Sequence, residues 1–335
     1  MILTGDCFNL IKDIPDNSVD LVITSPPYAD IVNYGKNISI QKPQDYCDWL
    51  LPLFNQIQRV LKPSGSFILN INDTCKNGYR NPFIYELIYR SQKETKLKFY
   101  DTYIWHKMNG IPNGGKKRFR NTTEFIFHFV KDQKHLKFNM DRVLKEQSEE
   151  TKKRRRYVWN IKDHGRIVDG KRGDKKEYNA ERLPNKVRPD NVVRFHTAGY
   201  ARDNTIKHPA PFYKDLPKYY INLLTDDGDT ILDPFGGIMT TGLACNEVGN
   251  RNFIGMELNE KYAEFGKKRI SGEVSEQYRV VQYDMDDNLI QSFNSPSEAC
   301  KAINCNSFHH IMTCYRGHSQ TYMGYKWKLE KNRII

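Results

Sequence analysis

The sequence predicts a three-layer α/β fold with a largely parallel sheet, and two observations carry that expectation. Apolar, β-branched runs alternate with amphipathic stretches along most of the chain. Two of those runs end abruptly on marked turns: Thr24-Ser25-Pro26-Pro27-Tyr28 follows Asp20-Leu21-Val22-Ile23, and Asp233-Pro234-Phe235-Gly236-Gly237 follows Asp229-Thr230-Ile231-Leu232. The first reads as a buried strand that delivers a serine, a rigid turn and an aromatic ring to a strand end. The second reads as strand, glycine loop and helix, where a nucleotide-like cofactor commonly sits. One string offers an aromatic face and hydrogen-bond acceptors, the other a cofactor cradle. Together they imply group transfer to a planar base.

The elements follow in order. Ile2-Leu3 begins a strand, and Phe8, Leu10, Ile11 and Ile14 recur at helical spacing before Pro15-Asp16-Asn17-Ser18 turns the chain. Residues 43–62 carry an apolar stripe of Tyr46, Trp49, Leu50, Leu53, Phe54, Ile57, Val60 and Leu61, a helix stopped by Pro63-Ser64-Gly65. Ser66 to Ile71 is the next strand, 82–93 a helix, and 99–106 and 123–130 are strands. Periodicity decays over 132–207, a segment expected to be loop-rich. It returns in a helix through Phe212, Leu216, Tyr219-Tyr220 and Leu223-Leu224 that leads to the Asp233 strand. Thr240 to Val248 is helical, Asn252 to Glu257 strand-like and 260–270 helical. In the tail, Ser295-Pro296-Ser297-Glu298 forms a capping-box pattern, Ser307 precedes a second short helix over 308–315, and Tyr322 to Leu329 reads as a strand. Two short helices joined tightly predict a helix-turn-helix module.

At 335 residues the chain holds one large domain and a small one, and 39% apolar content suffices for a core. No apolar run reaches the ~18 residues of a membrane span, and no signal peptide is visible, so a soluble, cytoplasmic protein is expected. Seven scattered cysteines fit a reducing compartment better than a disulfide frame. The net charge of +12 is concentrated: residues 116–207 carry 26 Lys and Arg against 13 Asp and Glu. Tyr157, Trp159, Tyr178 and Tyr200 are interleaved with them, a pattern suited to a polyanion.

Seven strings in order resemble the DNA amino-methyltransferases that use S-adenosyl-L-methionine, in the permuted arrangement where the catalytic half precedes the cofactor half. They are Gly5-Asp6-Cys7; Asp20 to Tyr28; Trp49 through Arg59-Val60-Leu61-Lys62-Pro63-Ser64-Gly65; Thr123-Glu124-Phe125-Ile126-Phe127-His128-Phe129; Lys207-His208-Pro209-Ala210-Pro211-Phe212; Asp233 to Gly237; and Gly255-Met256-Glu257. The resemblance covers about 1–131 and 205–270. It implies a Rossmann-like sheet, a methyltransferase domain over 1–275 with a basic target-recognition insertion at about 132–205, and double-stranded DNA as substrate.

The resemblance also implies a flipped nucleotide at Ser25, Pro26, Pro27 and Tyr28. The exocyclic amine of cytosine or adenine is a poor nucleophile, because its lone pair is delocalised into the ring. Acceptors aimed at its hydrogens, Ser25 Oγ and the Pro26 carbonyl, favour a pyramidal nitrogen and stabilise the developing charge. The prolines preorganise those acceptors, and Tyr28 stacks on the extruded base. On the cofactor side the matching positions are Asp6, Cys7, Thr24, Asp233, Pro234, Phe235, Gly236, Gly237, Thr240, Thr241 and Glu257, with Glu257 on the ribose hydroxyls and Asp6 on the adenine. One departure is Ile238-Met239, where the family has a small residue and a glycine; this bulk either narrows the cofactor pocket or points into the core. No metal is implied.

Ser25 resembles the cytosine-N4 enzymes, with adenine N6 as the alternative. Carbon-5 methylation is disfavoured, since it needs a thiolate nucleophile and none of the seven cysteines follows a proline, as in the motif of the carbon-5 enzymes. Within a C-terminal module expected over 285–330, the tail from about 288 to 328 resembles the small DNA-binding repeat of intron-encoded homing endonucleases, which implies His309, His310 and Arg316 facing DNA and suits a bacterial or phage origin. Lys152, Lys153, Arg154, Arg155 and Arg156 form the densest run of the insertion and are expected on phosphates. A zinc site from Cys300, Cys305, His309 and Cys314 suits no common module spacing. A partner restriction endonuclease is the expected biological companion. An RNA methyltransferase and a catalytically silent DNA-binding protein are the rival readings.

Overall fold

The computed structural model describes residues 1–29, 42–43, 45–108, 117–146, 167–168, 171–172, 186–196, 213–273, 278–293, 296–305, 309–315, 319 and 321–331. It divides into two compact units, Met1–Ile270 and Ser271–Ile335.

In the first unit the strands of three or more residues are β1 (Ile2–Thr4), β2 (Val19–Thr24), β3 (Leu61–Ile71), β4 (Thr74–Lys76), β5 (Tyr79–Asn81), β6 (Lys98–Lys107), β7 (Thr123–Val130), β8 (Val192–Phe195), β9 (Thr230–Asp233) and β10 (Asn252–Glu257). The helices are α1 (Cys7–Leu10), α2 (Tyr46–Val60), α3 (Phe83–Glu94), α4 (Asp215–Leu224), α5 (Thr240–Val248) and α6 (Glu260–Ser271), the last running one residue into the second unit. Strands β4 and β5 pair as a separate hairpin, and the other eight form one sheet in the order β1-β10-β9-β2-β3-β7-β6-β8. Every neighbouring pair in that sheet is parallel except those of β7, which runs antiparallel to both β3 and β6.

That topology places the site. The C-terminal ends of the parallel strands and the N-terminal end of β7 line one edge of the sheet, where ligands of open α/β folds bind. Burial on both faces explains the continuous apolar runs. Side chains alternate between the faces: Val22, Phe67, Leu69, Phe127, Phe129 and Leu232 pack with Leu50, Phe54 and Ile57 of α2, whereas Leu21, Ile23, Ile68, Ile126 and Ile231 pack with Leu216, Tyr220 and Leu224 of α4.

The expected loop-rich segment is partly scaffold. Strand β8 extends the main sheet, pairing Val192 with Ile104 through to Phe195 with Lys107. Upstream of it, Lys145–Glu146 pairs antiparallel with Lys186–Val187. Asn139 donates its backbone N–H to Leu223 O at 2.6 Å, and Lys137 forms an ion pair with the Asp229 carboxylate. The charge of this stretch conceals a few well-placed apolar residues, such as the buried Val143 and Val193.

The second unit holds β11 (Tyr278–Tyr283), β12 (Leu289–Phe293), α7 (Pro296–Ala302), α8 (His309–Tyr315) and β13 (Lys326–Lys331). It departs from a bare helix-turn-helix, because β12, β11 and β13 form an antiparallel sheet in that order. Val280, Phe293, Ala299, Ile311 and Trp327 make a core of their own, so the two short helices have a sheet to bury against. The expectation of free thiols is corrected at one pair: Cys300 and Cys305, brought together at the end of α7, are disulfide-bonded. Among the described residues Cys7, Cys47, Cys75, Cys245 and Cys314 are free, and no helix is long and apolar enough to cross a membrane.

Candidate active site

The two marked strings meet through buried side chains. Thr24 Oγ1 donates to Asp233 Oδ1 at 2.6 Å, although the residues are 209 positions apart. Thr241 Oγ1, in the first turn of α5, donates to Asp233 Oδ2 at 2.6 Å, and Phe235 N donates to Oδ1 at 3.2 Å. Asp233 thus ties the end of β2, its own loop and the following helix into one piece. Its burial pushes the carboxyl up to about 6, against the pull of these three donors.

The glycine loop is held by the next strand. Gly236 N donates to Met256 O at 2.8 Å, and Gly237 N donates to Glu257 Oε2 at 2.8 Å. Glu257 Oε1 accepts from Asn259 N at 2.8 Å, and its main-chain oxygen accepts from Gly5 N at 2.9 Å. Burial raises the Glu257 pKa above the usual carboxylate range. Asp6 is exposed and caps α1 by accepting from Phe8 N at 3.0 Å. Cys7 is buried in the core, where desolvation pushes its thiol well up. Rings cluster beside the loop: Trp49 lies 5.8 Å from Phe235 and 5.5 Å from Phe8 between centroids.

At Met239 the bulk points into the core, while Ile238 stays half-buried. Met239 is fully buried, and its Sδ lies 2.7 Å from where a Cβ on Gly236 would stand and 2.5 Å from that on Gly255. Its backbone is left-handed, φ 60°, a conformation that glycine adopts without strain. Ile238 O and Thr240 Oγ1 both accept from Arg269 Nη1, which fixes this loop from α6.

At the other string, Pro26 is buried and Ser25, Pro27 and Tyr28 are half-buried. Tyr46 at the start of α2 donates its hydroxyl to Pro27 O at 3.0 Å, pinning the turn. The Tyr28 hydroxyl donates to Glu124 Oε2 at 2.8 Å and accepts from Ser25 Oγ at 3.4 Å. Glu124, at the start of β7, is buried and also holds the ammonium of Lys107 from the end of β6. Burial and then the neighbouring carboxylate raise the Tyr28 pKa far up, so its hydroxyl stays a donor.

The structure therefore brings Ser25, Pro26, Pro27, Tyr28, Thr24, Asp233 to Gly237, Thr240, Thr241, Glu257, Asp6 and Cys7 to one sheet edge. Sequence reasoning assigned no role to Glu124, Lys107 or Tyr46. The signal for Glu124 was an acidic residue opening the apolar run Phe125 to Val130. Lys152 to Arg156 and Arg316 lie outside the described residues, as does the side chain of His309. His310 is exposed and stacks on Tyr322 at 5.0 Å within the second unit.

Comparison with known proteins gives the family and the fold. A model of the DNA methylase family, the N6/N4 methyltransferases, matches residues 19–268, and a NUMOD1 domain model matches 278–307. The DNA adenine methyltransferase YhdJ of Escherichia coli is 30% identical over 305 residues, covering 85% of this chain and 93% of that protein. The type II methyltransferase M.BglII of Bacillus subtilis is 28% identical over 277 residues, covering 82% of this chain and 70% of that protein. Among solved structures, the PvuII cytosine-N4-specific DNA methyltransferase superposes with a TM-score of 0.61 at 24% identity, covering 82% of this chain and 88% of that one. The chain belongs to the N6/N4 DNA methylase family, whose members are S-adenosyl-L-methionine-dependent methyltransferases, and carries a NUMOD1 domain behind its methylase domain.

Proposed function

We propose that this chain methylates the exocyclic N4 amine of a cytosine flipped out of duplex DNA. The observation that carries the reading is the Thr24–Asp233 hydrogen bond, which locks the Ser25–Tyr28 turn to the Asp233–Gly237 loop. An acceptor turn and a cofactor loop are thereby held as one rigid unit.

The edge has the chemistry the cofactor asks for. S-adenosyl-L-methionine carries a sulfonium and two ribose hydroxyls. Asp6, Asp233 and Glu257 supply carboxylates at this edge of an otherwise basic protein, and Phe235, Trp49 and Phe8 supply apolar faces. Glu257 would take the ribose, Asp6 the adenine, and the loop from Asp233 to Gly237 with Thr240 and Thr241 the remainder. When bound, the cofactor supplies an electrophilic methyl group. The protein's own residues do the rest. Ser25 Oγ and the Pro26 carbonyl accept from the amine and favour a pyramidal nitrogen. Tyr28 presents its ring to the base, and Glu124 fixes the angle of that ring by holding its hydroxyl. The duplex would be gripped by the basic insertion, Lys152 to Arg156 included, and by the NUMOD1 unit with His309, His310 and Arg316. A role beside a cognate restriction endonuclease is in keeping with relatives named type II methyltransferases.

Adenine N6 is the second reading, favoured by the 30% identity to an enzyme named an adenine methyltransferase. One experiment separates the two. Protein, S-adenosyl-L-methionine and unmethylated duplex DNA are incubated, and the digested nucleosides are identified by mass spectrometry. N4-methylcytosine is expected. N6-methyladenine would overturn the base assignment but keep the chemistry, and no methylated nucleoside from any DNA would reject the DNA-methyltransferase reading in favour of an RNA methyltransferase or a catalytically silent DNA-binding protein.

A further inference from the structure

Two exposed rings stand among cations at the same sheet edge. The β4–β5 hairpin follows β3 directly and turns through Lys76-Asn77-Gly78-Tyr79, with Asn77 and Gly78 in the left-handed conformation that a tight hairpin turn needs. Its Tyr79 is 80% exposed, and Phe119, in the segment Lys117-Arg118-Phe119-Arg120, is 97% exposed. The two pieces are joined: Arg118 Nη2 donates to Gly78 O at 2.5 Å. The lobe is also anchored to the site, since Asn72 Nδ2 donates to Thr123 O at 2.9 Å and the next residue, Glu124, holds the Tyr28 hydroxyl.

Charge here has one sign. Residues 72–81 and 117–123 carry Lys76, Arg80, Lys117, Arg118 and Arg120 against a single carboxylate, Asp73, which is buried and paired with Arg80. Leaving a phenylalanine almost wholly in water sacrifices its burial, roughly 1.5–3 kcal/mol. An apolar ring between two arginines, on a lobe tied to the turn proposed to take an extruded base, suits the polymer that would lose that base. Extrusion leaves a gap in the stack, and an inserted apolar side chain offsets part of the unstacking cost.

We propose that this lobe binds duplex DNA, with its lysines and arginines on the phosphates and Phe119 inserted into the stack beside the target nucleotide. The phosphate contact stands without the methyltransferase reading; the insertion at a target rests on it.

The test has two arms. Binding of a fluorescein-labelled mixed-sequence duplex is measured by anisotropy across a KCl series, which needs no turnover. The double variant Arg118→Ala, Arg120→Ala is expected to reduce the slope of log K against log [KCl] by about two; an unchanged slope overturns the surface. For the second arm, the site that the wild-type protein methylates on plasmid DNA is located by sequencing and placed in a synthetic duplex. Phe119→Ala is expected to methylate it about tenfold more slowly or worse, with unchanged affinity for S-adenosylhomocysteine. A mismatch opposite the target base should restore most of the rate, because the stack is already open. Wild-type turnover by Phe119→Ala, or a defect that the mismatch does not relieve, overturns the insertion. Absence of any methylated site would count against the functional reading and the insertion together, while the salt slope would still decide the surface.

Discussion

The Tyr28 hydroxyl donates to Glu124 Oε2 at 2.8 Å, and the same carboxylate holds Lys107. Strand β7 thereby sets the orientation of a ring on the turn after β2. Removing Glu124 leaves a buried hydroxyl without its charged acceptor, a loss of about 1.5–3 kcal/mol. If the ring angle matters in the transition state, Glu124→Ala should lower kcat roughly ten- to a hundredfold with S-adenosylhomocysteine affinity unchanged. Tyr28→Phe should cost a similar factor, and the double variant little more than either alone. Multiplying losses would show that Glu124 acts elsewhere than through Tyr28.

Glu257 offers a different separation. Each of its carboxylate oxygens already accepts a backbone N–H, from Gly237 and Asn259, at 2.8 Å. The side chain is preorganised, and ribose hydroxyls would use its remaining lone pairs. Glu257→Gln should therefore fail almost as badly as Glu257→Ala, because an amide NH2 must face one of those two donors. Calorimetry with S-adenosylhomocysteine should show Kd rising about tenfold or more in both variants. An unchanged Kd in Glu257→Ala would reject the ribose role.

Much of this was legible before the structure, for identifiable reasons. Helix α5 and strand β10 lie where periodicity placed them, because the pattern switches between Val248 and Asn252 across a glycine whose φ of 79° suits a helix stop. The antiparallel sheet of the second unit was less visible: Tyr278 to Tyr283 reads Tyr-Arg-Val-Val-Gln-Tyr, without strict alternation. Strand β8 is only four residues long and is masked by surrounding charge. In the site, Ser25 and Asp233 announce themselves through their turns. Lys107 and Glu124 do not, because an ion pair between strand ends is a property of sheet order, which one chain's spacing does not encode.

Asp233 makes the site pH-dependent in two opposed ways. Its pKa rises from 3.8 to about 6 on burial, so the folded chain binds this proton more tightly than the unfolded one. Its contribution to stability therefore falls as pH rises from about 3.8 to 6 and stays at its full cost above, at most roughly 3 kcal/mol. Cofactor affinity should run the other way: below about pH 6 the protonated carboxyl no longer accepts fully from Thr24, Thr241 and Phe235 N, and the loop loosens. Melting temperatures of the wild type and Asp233→Asn, measured from pH 4 to 8, should draw apart or close with pH mainly between 4 and 6, the wild type losing ground as pH rises. A constant difference would show that Asp233 titrates normally.

Met239 occupies space that three glycines leave open. A Cβ on Gly236 or Gly255 would meet its Sδ, and one on Gly266 would meet its Cβ and Cγ. The left-handed backbone at Met239 costs about 1–2 kcal/mol, and its buried side chain offsets this by filling the gap between the loop, β10 and α6. Gly266→Ala should cost about 1–3 kcal/mol through overpacking, and Met239→Ala about 2–5 kcal/mol through the cavity it leaves. Together they should cost at least about 1 kcal/mol less than the sum, since the new methyl group enters the vacated space. Denaturant titration of the four proteins of that cycle measures the coupling directly. Strict additivity would mean that Met239 and Gly266 do not share a packing site, and that the bulk after the glycine loop is directed elsewhere than into the core.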